Sequence, residues 1–416
     1  METKKRPTRS KFNTFRQVCN LIPEHLVPTL ARETGVEDQA RTYSPWSHVV
    51  SLCYAQFSHS IGLNDVSDSL RLHSGPLSTI RGATPPSRNN FSHANRERDA
   101  DLGERIFWAT SEHLQTQSPD FGGRVTGRKR AFRFKRKIHV VDSTTIQLVA
   151  NCLDWAKHRR RKAAAKCHVR LDLQSFLPKF VVVDTAREAD NKRAREMCAG
   201  VMSGEIVIFD KAYVDFQHLF DLHQRKVFWV TRAKENLQYE VIGELPADGK
   251  ILSDQIVKLK RSDAFDKFPE GMRLVVALVE IDGREQEMTF LTNQMTWSAA
   301  SIVELYRCRW SIEVFFKQIK QTLQLADFLG NSANAVRWQV WTALLVLLLL
   351  RYLAWATNWP HSFNRIFTLL RAAMWQKLEV FSLLRSYGTA GGSFRCLAQP
   401  EQAFLPGLLK FCGTAN

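Results

Sequence analysis

Two aspartates close strongly apolar runs: Asp142 follows IHVV and Asp210 follows IVIF. Short β-branched runs of this kind read as strands buried on both faces. A carboxylate at the end of such a strand needs a partner, and sheets of this type gather active-site groups at their strand ends. A third carboxylate lies in YRCRWSIEVFFKQIK. At 100° per residue, Tyr306, Arg309, Glu313 and Lys320 fall within an arc of about 60° and form one polar stripe. Leu305, Ile312, Phe315, Phe316, Ile319 and Leu323 occupy a neighbouring arc about 100° wide, the width of a core-facing side. Three carboxylates with no histidine or cysteine nearby suit hard divalent cations such as Mg²⁺ or Mn²⁺. Two such ions about 3.5–4 Å apart can activate one oxygen and stabilise another in phosphoryl transfer. Bound cations would relieve the repulsion among the carboxylates, and Arg309 and Lys320 would offer donors to a phosphodiester.

These groups must be held by an ordered framework. From Lys137 onward the chain alternates short β-rich runs (KIHVVDSTTIQLV, VRLDLQ, FLPKFVVVDT, EIVIFDKAY, KVFWVTR) with helix-like stretches at about 191–203 and 214–224. That alternation predicts an α/β core on one sheet. Residues 234–297 are strand-like throughout and carry PADG, FPEG and IDGR turns, which predicts a β-rich insertion. One long helix is expected from Ser298 to Leu325, with further helices over Ala333–Trp355 and Phe363–Leu384. Before the core, helical spacing recurs in Phe15–Leu30, Val49–Ile61, Val66–Leu72 and Leu102–Leu114, and predicts a small helical domain.

The 416 residues carry 58 Lys+Arg against 41 Asp+Glu, a net charge of +17, while 44% hydrophobic and 24% charged residues are ordinary globular values. A disordered or fibrous chain is excluded. The charge points to a polyanionic partner, of which nucleic acid is the commonest. About half of the excess lies in residues 1–137, with 22 Lys/Arg against 13 Asp/Glu. Two segments are densest: seven Lys/Arg from Arg128 to Lys137, interleaved with Phe132 and Phe134, and six in KHRRRKAAAK, read as a loop pressed against phosphates. Eight scattered cysteines without a CxxC pair argue for a reduced, cytoplasmic chain. The basic N-terminus lacks the apolar stretch of a signal peptide. VWTALLVLLLL (340–350) is about half a membrane span and reads as a buried helix.

The spacing Tyr306-x2-Arg309-x3-Glu313-x6-Lys320 resembles the YREK signature of the IS-four family of bacterial insertion-sequence transposases. VVDSTTI is similar to that family's first-aspartate strand and FDKAY to its second-aspartate block, and the likeness runs on through WVTRAKEN, FLTN and LADFLGNSANAV, over about residues 136–355. The resemblance implies a DDE transposase of α/β class: a ribonuclease-H-like core interrupted by a β-rich insertion, with an all-helical N-terminal domain and a helical C-terminal tail. The implied domains are 1–135 (DNA-end binding), 136–233 (core), 234–297 (insertion), 298–330 (the catalytic Glu helix) and 331–416 (tail). Asp142, Asp210 and Glu313 would be catalytic metal ligands for Mg²⁺ or Mn²⁺, and Tyr306, Arg309 and Lys320 would contact transposon-end DNA. The partners implied are double-stranded DNA, as terminal inverted repeats and as target, and a second copy in a homodimeric end complex. The protein would work in the bacterial cytoplasm, at the nucleoid. An aromatic of the insertion would hold a flipped base, with Trp229 and Trp297 both nearby and core packing the simpler role of either.

Blander readings compete. A lone strand-end aspartate commonly caps a turn, and a Tyr-Arg-Glu-Lys stripe can be a solvated helix face held by the Arg309–Glu313 pair. Asp184, after FVVVD, is locally as good as Asp142 and is the first alternative if Asp210 fails; Asp172 and Asp190 are weaker. Cys152, His158, Cys167 and His168 match no common zinc spacing. Trp338, Trp341, Trp355, Trp359 and Trp375 read as packing residues. The rival functions are a ribonuclease-H-like nuclease without strand transfer, a decayed DNA-binding copy, and a basic membrane-associated protein.

Overall fold

The computed structural model describes residues 6–37, 42–60, 62–122, 135–148, 157–159, 162–185, 190–260, 265–281, 283–322 and 329–387. Phe132, Phe134, Cys152 and Leu323, and most of the basic run from Arg128, lie outside the described residues. The chain divides into two compact units, one of residues 1–126, 145–165 and 316–399, the other of 127–144, 166–315 and 400–416.

The second unit is built on the sheet. The strands of the sheet are β1 (Ile138–Leu148), β2 (Lys157–Arg159), β3 (Lys162–Asp172), β4 (Leu177–Thr185), β5 (Ile206–Phe209), β6 (Phe228–Arg232), β7 (Tyr239–Glu244), β8 (Ile251–Leu259), β9 (Met272–Ile281) and β10 (Arg284–Thr292), of which β2, the end of β1 and the start of β3 belong to the first unit. The order is β2-β3-β1-β5-β6-β10-β9-β8-β7, with β4 beside β3. β1, β5 and β6 run parallel. Buried on both faces, as central parallel strands are, they have the near-continuous apolar runs that the sequence shows. The β-rich stretch after residue 234 joins the same sheet: β10 pairs antiparallel with β6, and β9, β8 and β7 follow as antiparallel neighbours.

Alternation fixes what each face carries. Val141, Val207, Phe209 and Trp229 point to a face packed by Ala194, Met197 and Cys198 of the helix Asp190–Cys198 and by Leu219 and Leu222 of the helix Phe216–Gln224. The helix Ala299–Arg307 packs on β6, β8, β9 and β10, and its Tyr306 ring meets Phe290 at 5.1 Å. The apolar arc expected for this region is buried: Leu305, Ile312 and Phe315 are all at 0% exposure.

Three expectations need correction. The helix expected from Ser298 to Leu325 is not continuous: Ala299–Arg307 and Trp310–Lys317 are separate helices, followed by a π-helical turn over Gln318–Thr322. At the break the chain tightens to i→i+3 bonds, Arg309 to Tyr306 and Ile312 to Arg309. KHRRRKAAAK is not a loop. β2 and the start of β3 pair antiparallel within it (Lys157 with Ala163), because a charged strand is well tolerated at a sheet edge. The helix expected over Phe363–Leu384 is two, Phe363–Ala373 and Val380–Ser386.

Apart from these strand residues, the other unit is helical. Ala333–Ala356, which holds the greasiest run, is its central helix and packs on Pro45–Ser58, Arg88–Glu97, Asp101–Gln117 and Phe363–Ala373. It is long and apolar enough to cross a membrane, yet 83% of its apolar window is buried against these neighbours. Trp338, Trp341 and Trp359 are core residues. Gly103 permits a close approach: a Cβ there would lie 3.0 Å from the Trp338 ring. Gly103→Leu is therefore expected to cost about 1–3 kcal/mol through overpacking, read as a lower urea midpoint, with no change in midpoint as the contrary result.

Candidate active site

The last registered pair between β1 and β5 is Val141 with Phe209. Asp142 and Asp210 are the next residues, so they stand level on neighbouring strands, which are about 4.8 Å apart, and on the face opposite to Val141 and Phe209. Asp210 is also the N-cap of the short 3₁₀ turn Lys211–Tyr213. The helices Ala299–Arg307 and Trp310–Lys317 supply the rest. Tyr306, buried at 2% exposure, donates its hydroxyl to Asp210 Oδ1 at 3.3 Å. Arg309 sits in the turn between the helices and makes two ion pairs: Nη1 to Asp142 Oδ2 at 3.1 Å and Nη2 to Glu313 Oε1 at 3.1 Å. Asp142 Oδ1 also accepts from the Ser143 backbone N–H at 2.8 Å.

Burial raises the Asp142 carboxyl to about 6; Arg309 and the Ser143 N–H oppose the rise, while Asp210 and Glu313 add to it. Burial likewise pushes the Tyr306 phenol well above its ordinary value. Burial alone would lower the Arg309 guanidinium, but Tyr306, Asp142, Glu313 and Asp210 outweigh it and the net shift is upward. The pocket thus accumulates negative potential, and a cation at its centre is stabilised.

Of the residues the sequence pointed to, Arg309 joins Asp142 to Glu313, Tyr306 bonds to Asp210, and Asp210 stands level with Asp142. Lys320 falls in the π-helical turn of the helical unit, where its Nζ donates to the Thr145 carbonyl at 2.6 Å. That turn is held in part by Arg351, whose guanidinium donates to Gln318 at 2.6 Å and is lowered to about 9 by burial. The apolar pattern could not have shown Arg351 as a support, since it reads as the charged residue that closes the run 340–350. Asp172 serves the fold: it accepts from Gln174 N and Ser175 Oγ, both at 2.9 Å, and caps the turn after β3. Asp184 is the penultimate residue of β4, but its side chain is outside the described residues. Trp229 is a core residue at 0% exposure, its indole N–H bonded to the Leu219 carbonyl. Trp297 packs on Phe228, at the start of β6 and so at the end of the parallel strands away from Asp210.

The donor set fits a hard divalent cation: carboxylate oxygens alone, with a positive group already between two of them. Among the described residues, however, no three of His, Cys, Asp and Glu are grouped closely enough to hold a metal ion. Arg309 occupies the space between Asp142 and Glu313. A divalent ion shared by these carboxylates requires that guanidinium to move.

The sequence profile of the transposase DDE domain family matches residues 133–349, and that of the domain of unknown function DUF4372 matches residues 11–80. A Sinorhizobium fredii protein named as a transposase is 31% identical over 72% of this chain and 81% of its own length. A Geobacillus stearothermophilus protein named as the transposase of insertion sequence element IS5377 is 28% identical over 54% of this chain and 59% of its own. The Escherichia coli transposase InsG of insertion sequence element IS4 is 27% identical over 44% of this chain and 42% of its own.

The raised Asp142 carboxyl makes a pH prediction. Its stabilising contribution is fully present below the ordinary carboxylate range, where folded and unfolded chains are both protonated, and is lost as pH rises through about 6. The stability of the metal-free protein relative to Asp142→Asn should therefore fall between about pH 4 and 6. Parallel stability profiles for the two proteins across that window would contradict it.

Proposed function

We propose, from the premise that this chain belongs to the transposase DDE domain family and is an insertion-sequence transposase, that Asp142, Asp210 and Glu313 are its catalytic carboxylates. We further assign the sheet unit as a ribonuclease-H-like core carrying a β-rich insertion over 234–297, and the basic region 1–135 as the binder of terminal inverted repeats. The observation that supports the reading is how the three acidic residues are linked: Asp210 follows β5, Asp142 stands level with it on β1, and Glu313 on the adjacent helix shares Arg309 with Asp142 while Tyr306 binds Asp210.

Asp142, Asp210 and Glu313 would hold the divalent ion, Mg²⁺ or Mn²⁺, which when bound supplies charge stabilisation for the attacking and leaving oxygens of a phosphodiester. The protein's own groups do the rest. Tyr306 holds one oxygen of Asp210 by donation and so fixes the direction of the other. The Ser143 N–H does the same for Asp142. Arg309 presents a planar fork of donors suited to phosphate oxygens, and Lys320 is a second cation for the DNA backbone. The product of the chemistry is a cut at the element's end and the joining of its 3′ end to target DNA. The two ends would be paired by a homodimer, and the protein would act in the cytoplasm at the nucleoid.

Glu313→Gln is expected to suppress cleavage of an end-bearing fragment by more than the about 10–100-fold that loss of an outer support costs, while end binding stays within about twofold. Retained cleavage would remove Glu313 from the catalytic set. Arg309→Ala and Lys320→Ala are each expected to weaken end complexes and to lower the slope of log affinity against log salt by about one. Unchanged slopes would make both residues structural.

A further inference from the structure

We propose that Arg309 is an internal counterion which DNA phosphate draws away, so that end binding itself opens the carboxylate cluster to the divalent ion. This rests on the assignment of Asp142, Asp210 and Glu313 as metal ligands.

Four features lead to it. Arg309 is 13% exposed and bridges two carboxylates that belong to different elements, at 3.1 Å each. Its third nitrogen, Nε, is buried and has no hydrogen-bond partner among the described residues, so the bridge leaves the guanidinium incompletely satisfied. The residue stands at the turn between the helices Ala299–Arg307 and Trp310–Lys317, where the helical hydrogen-bond ladder is already broken. A change of direction there does not require a helix to unwind. Finally, the acceptors it uses are carboxylate oxygens, the same atoms a divalent ion would need.

Electrostatics makes the two occupants exclusive. A guanidinium and a divalent ion a few ångströms apart repel strongly in a partly dry pocket, and they compete for the same lone pairs. A phosphodiester matches the guanidinium fork as well as a carboxylate does, and brings its own charge. Once Arg309 turns to phosphate, Asp142 and Glu313 lose their counterion and their mutual repulsion favours a new cation. By linkage, whatever factor DNA adds to metal affinity the metal must add to DNA affinity. The free protein is thereby kept from loading metal before an end is in place.

The test is Mn²⁺ binding to the full chain, followed by electron paramagnetic resonance of the free ion. It is run with and without a saturating pre-cleaved duplex carrying the element's own end, with saturation checked by fluorescence anisotropy. Wild type should gain at least about fivefold in Mn²⁺ affinity on adding the duplex, within the range of about 5- to 150-fold usual for coupled sites. Arg309→Ala should already bind Mn²⁺ at least about fivefold more tightly without DNA and gain nothing further from it. Arg309→Lys, which keeps the charge and loses the fork, should fall between the two. If Arg309→Ala fails to fold by circular dichroism, the wild-type gain and the Arg309→Lys value decide. Equal wild-type affinity with and without duplex, or DNA-free affinity unchanged or weakened in Arg309→Ala, overturns the proposal. A Glu313→Gln protein that matches wild type in every arm would instead remove the carboxylate assignment beneath it.

Discussion

Carboxylates cannot be crowded on the central strands of a largely buried sheet without a positive charge among them. Asp142 and Asp210 stand on neighbouring strands, Glu313 faces them from a helix, and burial makes ionisation costly enough to lift Asp142 to about 6. Arg309 meets that demand in the free protein, with one fork shared between Asp142 and Glu313. Much of the local architecture serves this contact. The break between the helices Ala299–Arg307 and Trp310–Lys317 places Arg309 at the pocket, and Tyr306 of the preceding turn occupies Asp210.

The sheet supplies the second constraint, which is register. With Val141 level with Phe209, the next residues on both strands fall on the face that Val141 and Phe209 do not share. A one-residue slip would carry one carboxylate into the apolar cluster that holds Phe209 and Trp229. The parallel pairing of β1, β5 and β6, buried on both faces, is therefore what makes the site reproducible, and the antiparallel strands β10 to β7 extend that support along the same sheet.

How much of this could be read from the residues follows from the range of the interactions involved. Asp142 and Asp210 stood out because each follows a largely apolar run, although β1 continues past Asp142 to Leu148 and only Asp210 stands at a strand end. The helix pattern was legible in its apolar arc, where Leu305, Ile312 and Phe315 are buried as expected. The break at Cys308–Arg309 was not: the apolar periodicity runs through it unchanged, and the contact Arg309 makes there is with a residue 167 positions away. The same holds for Tyr306, whose place in a polar stripe suggested exposure but whose hydroxyl is taken up by Asp210. KHRRRKAAAK looked like a loop because strand pairing at a sheet edge depends on backbone groups and leaves little trace in charge. Arg351, buried in the central helix and bonded to Gln318, looked like the end of an apolar run.

The central claim is that Asp142, Asp210 and Glu313 act on one metal-filled pocket. Its most direct test is a crystal structure of the protein bound to an end duplex in Mn²⁺, with the ions located by anomalous scattering. The account predicts manganese bound to oxygens of all three carboxylates, with the Arg309 guanidinium on a DNA phosphate. Manganese bound elsewhere, while Arg309 still bridges Asp142 and Glu313 in the DNA complex, would contradict it.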